Sequence, residues 1–299
     1  MKIQYEHTVI SSFLLFIDNE LCSRGKAYTN YGTQFYPVAD QYQNYFTYGS
    51  PFKQFVFDDS IGLVQGDKVR KPNVISGIYL DNQYIVPGES GLVSIDHNMG
   101  QLHFEQDYPD ALGVLPSGNY AIKDFNIYLT NEPENVLLFE TQFKINPKVE
   151  QSPTGLPPTC RTYPAIYVKN LTSTNEGVGF PNAIDTEMHL RSIVLSDSAY
   201  SLDACCALLK DTKKRRVAII GPEDQPFGSL GYTGGGPPYN YRNAISGSIS
   251  PDGWGEKNSF IIDQVNVSKK SQNRQDFDRL NTEVFIGFVD FTLKNIRDI

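Results

Sequence analysis

Between Val74 and Lys144, apolar and polar residues alternate in short runs broken by turn residues, a period that predicts strands rather than helices. The expected strands are Val74–Tyr79, Gln83–Val86, Leu92–Asp96, Gln101–Gln106, Asn119–Asn126 continuing to Leu129, and Val136–Lys144. Between them lie Asp81-Asn82, Pro87-Gly88, Asn98–Gly100, Pro116–Gly118 and Asn131–Asn135. Leu92, Ile95, Leu102 and Phe104 fall on two strands around Asn98-Met99-Gly100, which marks a hairpin. Strands at this spacing favour an antiparallel β-sandwich or small barrel.

The flanking sequence has other periods. Val9, Ile10, Phe13, Leu14, Ile17 and Leu21 recur at helical spacing and predict a helix over Tyr5–Ser23, with Glu6, Ser12, Asp18 and Asn19 on other faces and Gly25 as its stop. From Ala27 to Ser50 no period fits. Tyr28, Tyr31, Phe35, Tyr36, Tyr42, Tyr45, Phe46 and Tyr48 stand among small polar residues there, too aromatic for simple disorder, and the segment reads as an arm that orders against a neighbour. Asn146–Pro158 carries four prolines and a glycine, which hold the backbone extended and mark a boundary.

Beyond that boundary the pattern is strand, helix, strand, strand. Ala165–Val168 and Glu187–Leu195 are expected strands, and Ser198 or Ser201 caps a helix through Leu202, Cys205, Cys206, Leu208 and Leu209 that ends near Thr212. Ser259–Ser268 and Glu283–Leu293 follow as strands, the last apolar on both faces. The fold class is therefore α+β. Residues 1–50 hold the helix and the arm, 51–146 an inserted β-domain, 147–158 the linker and 159–299 an α+β domain on which the first helix packs. Two domains in series is the alternative, but a lone helix of that length must bury its apolar stripe on something.

Composition narrows the function. The chain has 299 residues and a formal net charge of −8, which argues against general nucleic-acid binding. The run Lys213-Lys214-Arg215-Arg216 reads as cations complementing a helix C-terminus. Cys22, Cys160, Cys205 and Cys206 lack zinc-ligand spacing and are expected as reduced thiols. Phe13–Ile17 is too short to span a bilayer, so no membrane anchor is expected. Eighteen tyrosines and eighteen phenylalanines suit surfaces that become interfaces.

The search for chemistry returns no catalytic, cofactor or metal residues. His7, His97, His103 and His189 are scattered, with His97 and His103 read as a surface pair flanking the hairpin turn. Gly234–Pro238 lacks the lysine and hydroxyl of a phosphate loop, and its prolines remove amide donors. Tyr232, Tyr239, Tyr241 and Arg242 beside it suit a protein contact. The pairs Asp58-Asp59 and Glu132 with Glu134 read as ordinary surface acids rather than glycosidase carboxylates.

Ser94–Phe104 resembles the I-D-x-x-x-G-x-I-x-F segment of many tailed-bacteriophage virion proteins. The N-terminal helix, Tyr163–Val168, the unit from Met188 to Asp211 and the final strand Val284–Leu293 resemble, in order, the α+β fold of tail-terminator and neck proteins. That resemblance implies a non-enzymatic ring subunit, typically hexameric, that joins the tail to the head connector. Its partners would be its own copies and adjoining tail-tube, sheath and connector proteins, with DNA only in passage and the virion as its location. The β insertion and the Tyr-rich segment lie outside the minimal terminator fold, which leaves baseplate, sheath-associated and capsid-decorating roles open. A negative lumen would repel passing phosphates, which fits the acidic balance. A carbohydrate-binding β-protein, or an enzyme whose acids meet only in three dimensions, are the competing readings.

Overall fold

The computed structural model describes residues 5–38, 45–65, 68–105, 109, 112–139, 164–177, 183–226, 239–246, 259–269 and 284–298. In chain order the elements are α1 (Tyr5–Ser23), β1 (Tyr28–Gln34), β2 (Tyr36–Pro37), β3 (Phe46–Gly49), β4 (Leu63–Gln65), β5 (Lys68–Arg70), β6 (Ile78–Leu80), β7 (Gln83–Ile85), β8 (Leu92–Asp96) and β9 (Gln101–Phe104). They continue with β10 (Ser117–Lys123), β11 (Asn126–Leu129), α2 (Glu134–Phe139), β12 (Ala165–Gly177), β13 (Ala183–Ser196), α3 (Ala199–Lys210), β14 (Arg216–Ala218), α4 (Tyr241–Ser246), β15 (Ser259–Lys269) and β16 (Phe285–Asp298). The result is a β-rich α+β fold. The strands form two four-stranded sheets, β1-β10-β6-β7 and β2-β3-β9-β8, a six-stranded sheet ordered β11-β12-β13-β16-β15-β14, and a small ribbon of β4 and β5.

The two smaller sheets enclose an aromatic core of Phe35, Phe52, Phe55, Phe104 and Tyr120 with Ile78, Leu102 and their neighbours. The expected hairpin is β8–β9, with Ile95 opposite Leu102 and Asp96 opposite Gln101. Asp96 Oδ1 accepts the amides of Asn98 and Met99 at 2.8 and 2.9 Å, which bends the chain before the turn. Gly100 completes it at φ 65°, where a Cβ would lie 2.2 Å from the Phe52 carbonyl oxygen. Asp81 and Asn82, both at positive φ, form the two-residue turn between β6 and β7.

Three parts of this region depart from the sequence pattern. In its described residues the aromatic segment is paired strand rather than an arm: β1 pairs with β10 from Tyr28 opposite Lys123 to Gln34 opposite Ser117, and β3 pairs with β9. Phe35 and Tyr48 are buried in the core of the chain itself, and Tyr28, Tyr31, Tyr36, Tyr45 and Phe46 are half-buried against it. Where a strand is expected from Val136, the chain forms α2; the rest of Val136–Lys144, and the proline-rich 147–158, lie outside the described residues. The first expected strand shortens to β6, because Val74–Gly77 is irregular.

The six-stranded sheet has a core on each face. On one, α1 and α3 pack over Ile166, Val168, Leu190, Val289, Phe291 and Leu293, with the rings of Phe13 and Phe291 edge to face at 5.0 Å. On the other, Leu137 of α2 joins Tyr167, Ile193, Leu195, Ile286 and Phe288. The alternation in β16 arises from these two cores. Arg191 fastens α2 to this face, donating to Asp290 at 2.6 and 3.1 Å and to Glu134 at 2.7 Å.

Helix α1 is more deeply enclosed than its stripe predicts. Ser12 and Asp18, expected on outer faces, are buried, because β14 and the segment from Phe55 to Ile61 cover that side. Ser12 Oγ donates to the Thr8 carbonyl and accepts the amide of Ile220, so its burial leaves no polar atom stranded. Helix α3 begins at the predicted cap, Ser198 Oγ accepting the amide of Ser201 at 3.1 Å. Replacing Ser198 by alanine should lower stability by about 1 kcal/mol in urea unfolding; an unchanged midpoint would mean that the cap contributes nothing.

Candidate functional site

The sequence-derived contact residues separate into two groups. Phe35 and Tyr48 lie at 0% and 2% exposure in the aromatic core, and Tyr241 at 6% beneath α1, so these three are spent within the chain and are not available to a partner. Tyr31 stacks on Phe52 at 4.2 Å and Tyr45 leans on His103, both half-buried, as are Tyr36, Phe46 and Tyr239. Arg242 is exposed. Tyr42 and Tyr232 lie outside the described residues.

Tyr241 and Arg242 line a groove of about 230 Å³ between α1, β14 and α4, with Phe16, Glu20, Arg215 and Arg216. The basic run thus does more than complement a helix end. Arg215 pairs with Glu20 while its guanidinium lies 5.2 Å from the Phe16 ring, and Lys214 pairs with Asp263. Glu20 also meets Arg24 at 3.5 Å. Burial pushes the Tyr241 phenol well above its ordinary value, so it stays protonated and has no use as a base. A groove of this size lies under the usual ~300–1,000 Å³ of small-molecule sites.

The candidate chemical groups are structural. His97 and His103 are buried rather than on the surface, because the hairpin lies against the segment around Phe52. His97 Nε2 is 3.1 Å from the Ile75 carbonyl, His103 Nδ1 is 3.4 Å from Thr47 Oγ1, and burial lowers both pKa values and favours neutral rings. Asp58 is likewise buried, accepting from Asn19 Nδ2 and the amides of Ser60 and Tyr241. Glu134 is held by Arg191. Cys22, Cys205 and Cys206 are buried free thiols, and burial pushes Cys205 up to about 12. Among the described residues no cluster of His, Cys, Asp or Glu has metal-binding geometry, and no helix is long and apolar enough to cross a membrane.

The feature that sequence reading missed is a blade. Strand β12 is buried over Ala165–Val168, yet it continues to Gly177 with nearly every residue beyond Lys169 and Asn170 exposed. It pairs there with β13, which pairs in turn with β16 along its whole length. The blade residues Leu171, Thr172, Ser173, Thr174, Asn175 and Glu176 have no apolar alternation, because Thr172, Thr174 and Glu176 are exposed while Ser173 and Asn175 stand at the rim of the helix-covered core, opposite buried Met188 and Thr186. Only their content of Thr and Leu, suited to a strand, hints at it. Its flat face is polar: Glu187 meets His189 at 3.3 Å and Lys294 at 3.1 Å. Strand β11 covers the outer edge of β12 only from Ala165 to Val168. Past Val168 no strand lies on that edge among the described residues. Against protein-family models and curated proteins, the chain finds no match.

Proposed function

We propose that this chain is a structural subunit of a tailed-phage particle, a tail-terminator or neck ring protein that joins the tail to the head connector and has no enzymatic activity. The observation that carries the reading is the blade of β12, β13 and β16, a ribbon with one polar face and an edge on which no strand lies among the described residues, held on a sheet buried on both sides. An open edge of this length invites pairing with another chain. The order of elements supports the same reading: α1, then β12 and β13, α3, and β14 to β16 make one sheet with two helices on one face, the order that the terminator resemblance implies. Its main partner is its own copies, and the tail-tube, sheath and connector proteins adjoin it. DNA is only in passage, and the protein resides in the virion.

Light scattering followed by negative-stain imaging tests this. The expected result is a closed ring with a mass that is an integral multiple of 33.6 kDa; a monomer at every accessible concentration contradicts it. One observation favours a sugar-binding β-protein instead. Tyr79 and Tyr84 are 45% and 49% exposed on β6 and β7, their rings 5.2 Å apart. Their edge-to-face angle of 60° is unlike the flat platform on which a sugar stacks. Glycan binding lost on Tyr84→Ala would favour that reading.

A further inference from the structure

We propose that copies of this chain join through the six-stranded sheet, the open edge of β12 over Thr172–Gly177 pairing antiparallel with the open edge of β15 over Gln264–Lys269 in the next copy. The inference rests on the self-assembling reading above and names the surface that reading needs.

Both edges are open in the same way. On β15, β14 covers Ser259–Ile261, and the backbone around Lys214 and Arg215 still bonds Ile262; from Gln264 onward no strand lies outside it among the described residues. On β12, the last backbone bond from the β11 side is that of the Thr130 amide to the Val168 carbonyl. Each open run begins just past an irregularity in register, at Asn170/Thr172 and at Ile262/Gln264. The runs Thr-Ser-Thr-Asn-Glu-Gly and Gln-Val-Asn-Val-Ser-Lys are equal in length and contain no proline, and their one lysine stands at the far end, paired with Asp203. Natural edges not meant for pairing carry prolines and lysines. On β12, moreover, the buried Asn170 Oδ1 and Ser173 Oγ have no hydrogen-bond partner among the described residues.

Direction and face also agree. Passing from β12 through β13 and β16 to β15, each pair is antiparallel, so β12 and β15 run in opposite senses. A neighbour placed in the same orientation therefore offers its β15 antiparallel to this β12. Thr172 lies opposite His189, His189 opposite Thr292, and Thr292 opposite Gln264, so Thr172 and Gln264 point to the same face of the sheet. Thr174 and Glu176, like Asn266 and Ser268, follow them on that face by alternation. One continuous sheet would thus keep its helices on one side from copy to copy.

The two edges are offset along the strands, which makes a flat filament the wrong product. Thr172 stands in the row of Thr292 and Ser268, the residue of its own face nearest the far end of the β15 run, in the row of Phe288, four residues apart on β16. Pairing them shifts the next sheet by about 14 Å along the strand, against about 19 Å sideways for four strands per copy. A closed ring of such sheets tilts its strands by about 36°, at the lower end of the range of β-barrels.

The test mixes two variants, each also carrying Cys160→Ser: one with Thr174→Cys and one with Asn266→Cys, distinguished by tags of different size. The same is done for Thr172 and Glu176 against Gln264 and Ser268. Mild oxidation should give a disulfide-linked mixed dimer from at least one combination, and none from either variant alone. In parallel, Thr172→Lys/Thr174→Lys should raise the concentration for half-assembly by roughly tenfold or more, with an unchanged circular dichroism spectrum. If the wild type assembles but no mixed cross-link forms, the edge contact is overturned while the ring reading stands. A monomeric wild type overturns both, and should the lysine variant fail to fold, the cross-linking result decides alone.

Discussion

Replacing Tyr120 by alanine should remove roughly 3–5 kcal/mol of stability, the range for deleting a large aromatic from a core. Tyr120 on β10 is fully buried, stacks on Phe55 at 4.1 Å and meets Phe35 and Phe52 at 5.8 and 6.3 Å. Its hydroxyl bonds Thr33 on β1 and Ser50 just past β3, joining the two sheets through one oxygen. Tyr120→Phe keeps the ring and strands those two hydroxyls, so it should cost only about 1–3 kcal/mol. Urea unfolding of both variants separates packing from hydrogen bonding. Equal losses would mean that the hydroxyl bridge, not the ring stack, holds the sheets together.

That stack also shows where sequence reading succeeds and where it stops. Elements with a regular apolar period were legible: α1, the β8–β9 hairpin, the Ser198 cap and the two-sided β16 all follow from spacing and cap chemistry. The segment from Tyr28 to Gly49 was not, because in β1 the exposed positions carry Thr, Asn, Gly and Gln, and its ring residues, Tyr28 and Tyr31, lack a two-residue spacing. Its aromatic excess was visible, but composition does not say whether rings face inward or toward a partner. Phe35 and Tyr48 prove to face inward. The blade failed in the opposite direction. Strands are inferred from the apolar residues they bury, and Thr172–Gly177 carries none, so only backbone pairing with β13 reveals it. The surface with the best claim to assembly is therefore polar, Thr-rich and short of aromatic rings, unlike the Tyr-rich segments that composition singles out.

Losing Lys123 should destabilise the fold by roughly 3–5 kcal/mol at neutral pH, because it strands a buried carboxylate. Lys123 Nζ donates to Asp18 Oδ1 at 2.6 Å and lies 4.1 Å from the centre of the Phe57 ring, which puts the end of β10 against the middle of α1. This contact joins the smaller sheets to the helix-covered one, where Asp58 also binds Asn19 and the amide of Tyr241. Burial raises the Asp18 carboxyl above its ordinary 3.8, an effect that Lys123 opposes. The folded chain therefore holds that proton at a higher pH than the unfolded chain does. As the pH falls through the raised folded value toward 3.8, Asp18 gains stability for the native state, and as the pH rises above that window the gain is lost. In Lys123→Met the opposing cation is gone, so the folded value climbs further and the penalty shrinks on acidification. The difference in unfolding free energy between wild type and Lys123→Met should be largest near pH 7 and smaller near about pH 5, other carboxylates cancelling in the comparison. Asp18→Asn combined with Lys123→Met should recover much of the loss, since neither partner is then left charged and alone. A difference that stays constant across the titration, or a double variant no better than the single, would show that Lys123 acts through its packing on Phe57 and not through its charge.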